Sequence, residues 1–163
     1  MPQCPQTIQG KRCEWRSHML LEALDELVTL HSTLDGPAVA VIGHSMGGLG
    51  AYMYAAKFPG RVRAMVAVCG GGHPMFAARL ASPLPLWFFH AANDNCVAVE
   101  ETDAVVEAIR AARAGTSGAV RYTRYAVSNL TCATEAFVGH NSWDLAYREP
   151  ELVPWLLAAP PHP

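Results

Sequence analysis

Residues 39–52, VAVIGHSMGGLGAY, contain the pattern that decides the fold of this chain. An apolar, partly β-branched run leads to a serine with a glycine two positions away on either side, and small residues suited to a closely packed helix follow. This order predicts a buried strand, a tight turn at Ser45 and a helix that ends near Phe58, just before Pro59-Gly60. The turn would hold the serine hydroxyl outward, where it is available for chemistry.

The rest of the chain alternates between patterns typical of strands and of helices. Strands are predicted over 38–43, 61–68, 84–90 and 119–127. Helices are predicted over 14–31, 46–58, 75–80, 99–113 and 142–158, with Pro150 and Pro154 as interruptions of the last. Such alternation favours an α/β fold, a mostly parallel sheet of about four strands flanked by helices. We expect one domain over residues 1–163, since a chain of this length matches the usual size of one.

Composition and charge exclude several classes of function. Charged residues make up 16% of the 163 residues, below the roughly 25% of an average soluble domain. A net charge of -2 without a basic stripe argues against a nucleic-acid partner. The five cysteines include no CxxC pair, so we expect no metal site and a reducing compartment. With neither a signal-peptide pattern nor an apolar run of about 20 residues, a cytoplasmic location without a membrane span is predicted.

The serine turn has the spacing of a nucleophile, because Gly43, Ser45 and Gly47 spell GxSxG between a strand and a helix. In such a turn the nucleophile takes a strained backbone conformation, and its neighbours must be small. Met46 would begin the helix, so its backbone N–H is the candidate donor to a developing oxyanion. The alternative interpretation is a serine that only caps the helix after a glycine-rich turn.

A nucleophilic serine requires a base and an acid that orients the base. In a parallel sheet, functional groups collect at the carboxyl ends of the strands. Asp94 follows the strand over 84–90, and His140 follows the strand over 119–127, just before the last helix. The chain order Ser45, Asp94, His140 is that of the serine, acid and histidine in α/β-hydrolase sites. We therefore predict that His140 accepts the serine proton and that Asp94 fixes the histidine tautomer.

Other acids and histidines near these positions are weaker candidates. Asp103 falls in the first turn of a helix, where capping explains it. Asp144 lies within one helical turn of His140 in the chain. His44 and His90 are interpreted as packed, hydrogen-bonded histidines.

Two further residues are candidates for the wall of a substrate pocket. His73 lies in a glycine-rich loop, and Trp143 follows His140 closely. Trp87, Phe88 and Phe89 are predicted to lie in the core instead, because they belong to a strand that is apolar on both faces.

The chain resembles the esterase-like branch of the α/β hydrolases, which includes predicted peptidases and phospholipase or carboxylesterase relatives. The blocks that carry the resemblance are PQCP at 2–5, GHSMGGLGAY at 43–52, CGGGHP at 69–74, FFHAANDNCV at 88–97 and GHNSWDLAYREPELVPWLL at 139–157. The resemblance implies hydrolysis of carboxylic esters, sometimes of thioesters or amides, without a cofactor. It also implies that Ser45, Asp94 and His140 form the catalytic triad.

One departure from the family pattern shapes the hypotheses. The family implies strands before the PQCP block, one of which ends in a His-Gly turn with a second oxyanion donor, yet this sequence contains no His-Gly dipeptide. The chain would then be the C-terminal portion of the fold, truncated at its N-terminus. Losing one such donor lowers the rate by a factor of about 100 to 1000. Strand 38–43 would also keep an open edge, available to a second copy or a partner chain.

Three hypotheses follow. The first is a serine hydrolase that acts on a small-molecule acyl ester through an acyl-enzyme. The second is a catalytically weak or inactive truncated hydrolase that acts as an interaction or regulatory protein through its open strand edge. The third is a gene product whose upstream strands are encoded before Met1.

Overall fold

A computed structural model describes residues 18–31, 38–81, 83–114, 120–129 and 138–159. The helices and strands alternate along these residues: α1 (His18–His31), β1 (Val39–His44), α2 (Met46–Lys57), β2 (Val62–Val68), β3 (Leu86–Ala91), α3 (Val99–Ala112), β4 (Val120–Tyr125), α4 (Trp143–Tyr147) and α5 (Leu152–Ala158). Two 3₁₀ helices, Pro59–Arg61 and Pro74–Leu80, lie before and after β2.

The four strands form one sheet in the order β1-β2-β3-β4, and every neighbouring pair is parallel. Each strand therefore pairs with the next strand along the chain. The predicted α/β fold class, a parallel sheet flanked by helices, is confirmed. Each predicted strand is also found, with its ends within two residues of the expected positions, because apolar runs and turn residues are local signals.

The two inner strands divide the core into two apolar layers. Successive side chains of a strand point to opposite faces. In β2, Met65 therefore packs into the layer beneath α2 and α3, whereas Val66 packs into the layer beneath α4 and α5. The same alternation places Phe88 in the first layer and Trp87 and Phe89 in the second. All three aromatic residues are buried, which confirms that they belong to the core.

The outer strand β1 is less covered than the inner strands. Every residue over Val39–Gly43 is half-buried, whereas the last five residues of β2 are all buried. Within the described parts of the chain, β1 pairs with β2 alone. In the turn after β1, Ser45 is half-buried and Met46 is 41% exposed.

Helix α1 contacts the segment around the end of α2 through Asp25. The Asp25 carboxylate makes an ion pair with Arg61 at 3.2 Å. Asp25 also accepts a hydrogen bond from the Tyr54 hydroxyl at 3.3 Å. Leu27 and Leu30 of α1 are exposed, by 47% and 74%. Residues 14–17 of the predicted helix lie outside the described residues.

The last helical stretch is interrupted once, at Pro150. Pro154 was expected to interrupt it too, but this proline is the third residue of α5. The N–H groups of a first turn have no partner within the helix, so a proline there removes no hydrogen bond. The predicted helix over 75–80 has the tighter 3₁₀ form, again with a proline at its start. No helix within the described ranges is both long enough and apolar enough to cross a membrane.

Candidate active site

Ser45 occupies a strained turn between β1 and α2. Its φ of 53° and ψ of -126° lie where non-glycine residues are rare. The turn can close because Gly43 has no Cβ. A Cβ at this position would lie 2.1 Å from the Gly47 carbonyl oxygen and would clash with it. A Cβ at Gly47 itself would meet nothing within 4 Å, whereas one at Gly48 would lie 2.8 Å from the Val68 carbonyl oxygen. The expectation that both glycines of GxSxG must be small therefore holds for Gly43, while Gly48 is the second tight position.

The structure brings Ser45, His140 and Asp94 together in one hydrogen-bonded chain. Ser45 Oγ lies 2.9 Å from His140 Nε2, and His140 Nδ1 lies 2.8 Å from Asp94 Oδ2. These residues follow β1, β3 and β4, so the carboxyl edge of the sheet brings together residues separated by 95 and 46 positions. The imidazole thus lies between a hydroxyl and a carboxylate, the arrangement in which a histidine removes a proton from serine.

Asp94 is held by hydrogen bonds to both of its oxygens. Oδ1 accepts the backbone N–H groups of Cys96 at 2.8 Å and Val97 at 2.9 Å. Oδ2 is within hydrogen-bonding distance of His140 and of His90, at 2.8 and 3.0 Å. Burial alone raises the pKa of this carboxyl, but the hydrogen bonds outweigh burial and hold the pKa well below its usual range. Asp94 is therefore an ionised acceptor at neutral pH.

The loop that carries His140 is attached to the loop that carries Asp94. The Asn93 side-chain amide donates to the Ser128 carbonyl oxygen at 3.1 Å and accepts the Ser128 N–H at 2.8 Å. Asn95 N–H donates to the Val138 carbonyl oxygen at 3.0 Å. Gly139 has a φ of 76°, and a Cβ there would lie 2.2 Å from the Asn93 carbonyl oxygen. Glycine before the histidine thus permits the two loops to approach this closely.

The predicted pocket residues differ in their contacts with this site. The Trp143 ring centroid lies 5.5 Å from that of His140 and 4.8 Å from that of His44. Trp143 therefore contacts the imidazole that would act as base. Burial, together with the nearby His140, lowers the pKa of His44. His73 is exposed, and its Nδ1 accepts the Met75 N–H at 3.2 Å, so its side chain caps the 3₁₀ helix. The pocket roles of Trp143 and His73 stay predictions.

Met46, the candidate oxyanion donor, is the first residue of α2. Its backbone N–H therefore lies at the positive end of a 12-residue helix, directly after the Ser45 hydroxyl in the chain. This is the end of a helix at which negative charge is stabilised.

The rival acids have other partners. Asp103 accepts the Tyr122 hydroxyl at 2.6 Å and pairs with Arg124 at 3.2 Å. Asp144 accepts the Asn141 side-chain amide at 3.1 Å. Neither is in hydrogen-bond contact with His140 in the described structure, so the geometry favours Asp94 over both.

The thiol of Cys69 lies beside the hydrogen-bonded chain. Its ligand-type atom and those of Asp94 and His140 all lie within 4.8 Å of one another. A metal requires a thiolate, but burial raises the pKa of the Cys69 thiol to about 12. The Asp94 and His140 atoms in this cluster also bond to each other. The donor chemistry therefore fits a proton-transfer chain better than a metal site.

His90 is buried and hydrogen-bonded, as its interpretation as a packed, hydrogen-bonded histidine predicts. Sequence reasoning did not identify its partner, which is the same Asp94 oxygen that His140 contacts. Its position four residues before Asp94, at the end of a strand, is the signal that could have suggested contact.

Comparison with known proteins defines the class to which this fold and site belong. A family model described as the alpha/beta hydrolase fold matches residues 1–114. This match covers more than half of the chain, so the chain belongs to that family. The resemblance seen in the sequence blocks is confirmed.

Individual proteins are similar to parts of this chain. An S-formylglutathione hydrolase of Paracoccus denitrificans (strain Pd 1222) is 37% identical over 81 residues, which span 45% of this chain and 29% of the relative. The crystal structure of a thermostable esterase matches with a TM-score of 0.70 and 28% identity, over 86% of this chain and 36% of that one. The esterase domain of a Rhodothermus marinus protein matches in fold, with a TM-score of 0.57 and 19% identity. The match covers 83% of this chain and 66% of that one. The chain thus spans about a third of the length of the first two proteins.

Proposed function

We propose that this protein is a serine hydrolase that cleaves carboxylic esters through an acyl-enzyme. The observation that carries the proposal is the continuous contact from Ser45 Oγ through His140 to Asp94, at 2.9 and 2.8 Å. Both distances lie in the range needed for proton transfer between a nucleophile, its base and the orienting acid. Its similarity to a thermostable esterase and to an S-formylglutathione hydrolase supports the same reaction class.

The first half of the reaction follows from the contacts. As Ser45 Oγ attacks the carbonyl carbon of the ester, its proton passes to His140 Nε2. Asp94 accepts a hydrogen bond from Nδ1–H of His140 and stabilises the imidazolium that forms. The backbone N–H of Met46 would donate to the oxyanion of the tetrahedral intermediate. His140 then returns its proton to the leaving alcohol, and the acyl group remains on the serine.

The second half of the reaction restores the serine. A water molecule gives its proton to His140 Nε2 and attacks the acyl carbonyl carbon. When this second intermediate collapses, the carboxylic acid leaves and the proton returns to Ser45 Oγ.

The surroundings of Ser45 favour a neutral, partly apolar acyl group. Trp143 presents an aromatic ring beside His140, and Met46, directly after the nucleophile, is 41% exposed. We assign Trp143 to the wall of the acyl pocket and His73 to its outer border. Thioesters and amides are the alternative substrates, since the same triad chemistry cleaves them.

Covalent labelling tests the proposal. A fluorophosphonate should attach to the wild type, and the Ser45→Ala variant should take up no label because the nucleophile is gone. Ser128→Ala is a matched control, since Ser128 is a buried serine whose hydroxyl donates to the Asn141 carbonyl oxygen rather than to a histidine. Folded Ser128→Ala protein should still be labelled. A folded wild type that resists the reagent would contradict the proposed function.

A second candidate function rests on the outer strand. Within the described residues β1 pairs with one neighbour only, and an open apolar edge is a site for pairing with another chain. An interaction or regulatory protein would use this edge and keep the hydrolase fold without turnover. A folded wild type that resists the fluorophosphonate would favour this function.

A further inference from the structure

His90 is a fully buried histidine whose two ring nitrogens both have partners. It belongs to β3 and has no exposed surface. Its Nε2 lies 3.0 Å from Asp94 Oδ2 and 3.1 Å from the Val97 carbonyl oxygen. Its Nδ1 lies 2.7 Å from Thr102 Oγ1. These three partners satisfy the polar atoms of a ring that would otherwise be costly to bury.

The partners determine where the ring proton lies. Both oxygens next to Nε2 are acceptors, so Nε2 carries a hydrogen and donates it. The Thr102 hydroxyl both donates and accepts, and it can therefore donate to Nδ1 of the neutral ring. Thr102 is 2% exposed, within the first four residues of α3, so water does not compete for this contact. The two acceptors beside Nε2 thus select the Nε2–H tautomer of His90, and the Thr102 hydroxyl donates to the Nδ1 atom that carries no hydrogen in this tautomer.

The Nε2–H group of His90 is directed at the oxygen that also serves His140. Asp94 Oδ2 accepts from both imidazoles, while Oδ1 accepts from the N–H groups of Cys96 and Val97. Rotation of the carboxylate would break bonds on both oxygens at once. Two donors on Oδ2 therefore hold that oxygen in line with His140 Nδ1.

We propose that Thr102 and His90 are positioning residues for the reaction, in that the Thr102 hydroxyl anchors the His90 ring through Nδ1 and the His90 Nε2–H aims Asp94 at His140. Neither side chain contacts Ser45 in the described structure, so each acts through Asp94. The inference rests on the proposed function, since it assigns a role within the same site. It extends the hydrogen-bonded chain beyond Asp94 by two residues, His90 in β3 and Thr102 in the first turn of α3.

The Thr102 hydroxyl can be removed with little change in shape. Thr102→Val leaves His90 Nδ1 without its donor, and Thr102→Ser keeps the hydroxyl. At metal sites, removing a partner that orients a ligand side chain typically lowers activity about 10–100-fold, and we expect a loss of the same order for a partner that orients Asp94. We expect Thr102→Val to lower kcat about tenfold with KM unchanged, and Thr102→Ser to remain near the wild type, because only the transition state is affected.

The His90 donor is tested by a second pair of variants. His90→Phe fills the same space without a donor, whereas the side-chain amide of His90→Gln reaches the position of Nε2 and still donates. We expect kcat to be about 100-fold below the wild type in His90→Phe. In His90→Gln we expect it to be only about tenfold below the wild type. Circular dichroism and thermal unfolding show that each compared variant is folded.

Nuclear magnetic resonance gives a readout that does not depend on turnover. Nitrogen-15 shifts of His90 in the wild type should show hydrogen on Nε2 and none on Nδ1. The far-downfield proton of His140 Nδ1–H should persist in Thr102→Ser and broaden or move in Thr102→Val. A merely structural role would leave this proton unchanged in any folded variant.

The outcomes separate this inference from the proposed function. Full kcat and an unchanged His140 proton in folded Thr102→Val, or a wild-type His90 with hydrogen on Nδ1, would overturn the inference while fluorophosphonate labelling of Ser45 stands. A wild type without labelling would overturn the proposed function, and the His90 and His140 resonances would still decide the geometry.

Discussion

At the scale of single residues, Asp94 is the residue whose contacts constrain the site most. Its side chain has no exposed surface, and it accepts hydrogen bonds from two imidazoles and two backbone N–H groups. Its lowered pKa means that folding stabilises the ionised carboxylate relative to the protonated carboxyl.

The pH dependence of stability tests this environment. Because the folded pKa of Asp94 is lowered, the carboxylate stabilises the fold above the unfolded value of about 3.9, and this contribution is lost as pH falls below it. The difference in unfolding free energy between wild type and Asp94→Asn should therefore shrink steadily from pH 5 to pH 2. Urea denaturation at each pH measures it. Asp144→Asn, outside the hydrogen-bonded chain, is the matched control, and a difference that stays constant down to pH 2 would contradict the assignment.

At the scale of secondary-structure elements, the turn between β1 and α2 depends on one close backbone approach. Gly43 packs directly against the Gly47 carbonyl group, whereas the space next to the Gly47 Cα is open. The two glycines of the same motif therefore differ in what a methyl group would cost.

Alanine substitution at each of these glycines measures that difference. Gly43→Ala should lower the free energy of unfolding by about 3 kcal/mol, because the added Cβ overlaps backbone atoms that cannot move independently. Gly47→Ala should change it by no more than about 1 kcal/mol, in the stabilising direction, since alanine is favoured over glycine in a helix. Chemical denaturation of both variants gives the comparison. Equal losses of unfolding free energy in the two variants would show that the turn does not depend on the close packing of Gly43 against the Gly47 carbonyl group.

Local signals account for what could be predicted about the elements. Apolar runs and Pro-Gly or glycine-rich turns lie within a few residues of each strand, so the strands and the GxSxG turn follow from short windows of sequence. The ion pair of Asp25 in α1 with Arg61 does not, because the two residues are far apart in the chain. The contact between Asp94 and His140 was predicted from the order of the strands, whereas the convergence of both imidazoles on one Asp94 oxygen depends on how the loops after β3 and β4 pack together. No local pattern in the sequence specifies that packing.

At the scale of the whole molecule, coverage of the sheet is uneven. The inner strands are buried by helices on both faces, whereas β1 is half-buried and has one strand partner within the described ranges. The proposed interaction through this edge draws its support from the apolar residues of β1 and from the low share of charged residues in the chain, 16%.

Association would make stability depend on protein concentration. If β1 pairs with a second copy, light scattering should give a mass above that of one 17.6 kDa chain. The apparent Tm should then rise with concentration, because mass action favours the assembled state. A monomer whose Tm is independent of concentration would contradict pairing between copies.

The strand order β1-β2-β3-β4, which equals chain order, has a consequence for how the protein is made on the ribosome. Each new strand can be added to the growing sheet as soon as it emerges, since its partner has already been synthesised. His140 emerges 95 residues after Ser45 and 46 after Asp94. Under the proposed mechanism, a nascent chain can thus hold Ser45 and Asp94 in place and still lack its base, so we expect no hydrolysis until translation has passed His140.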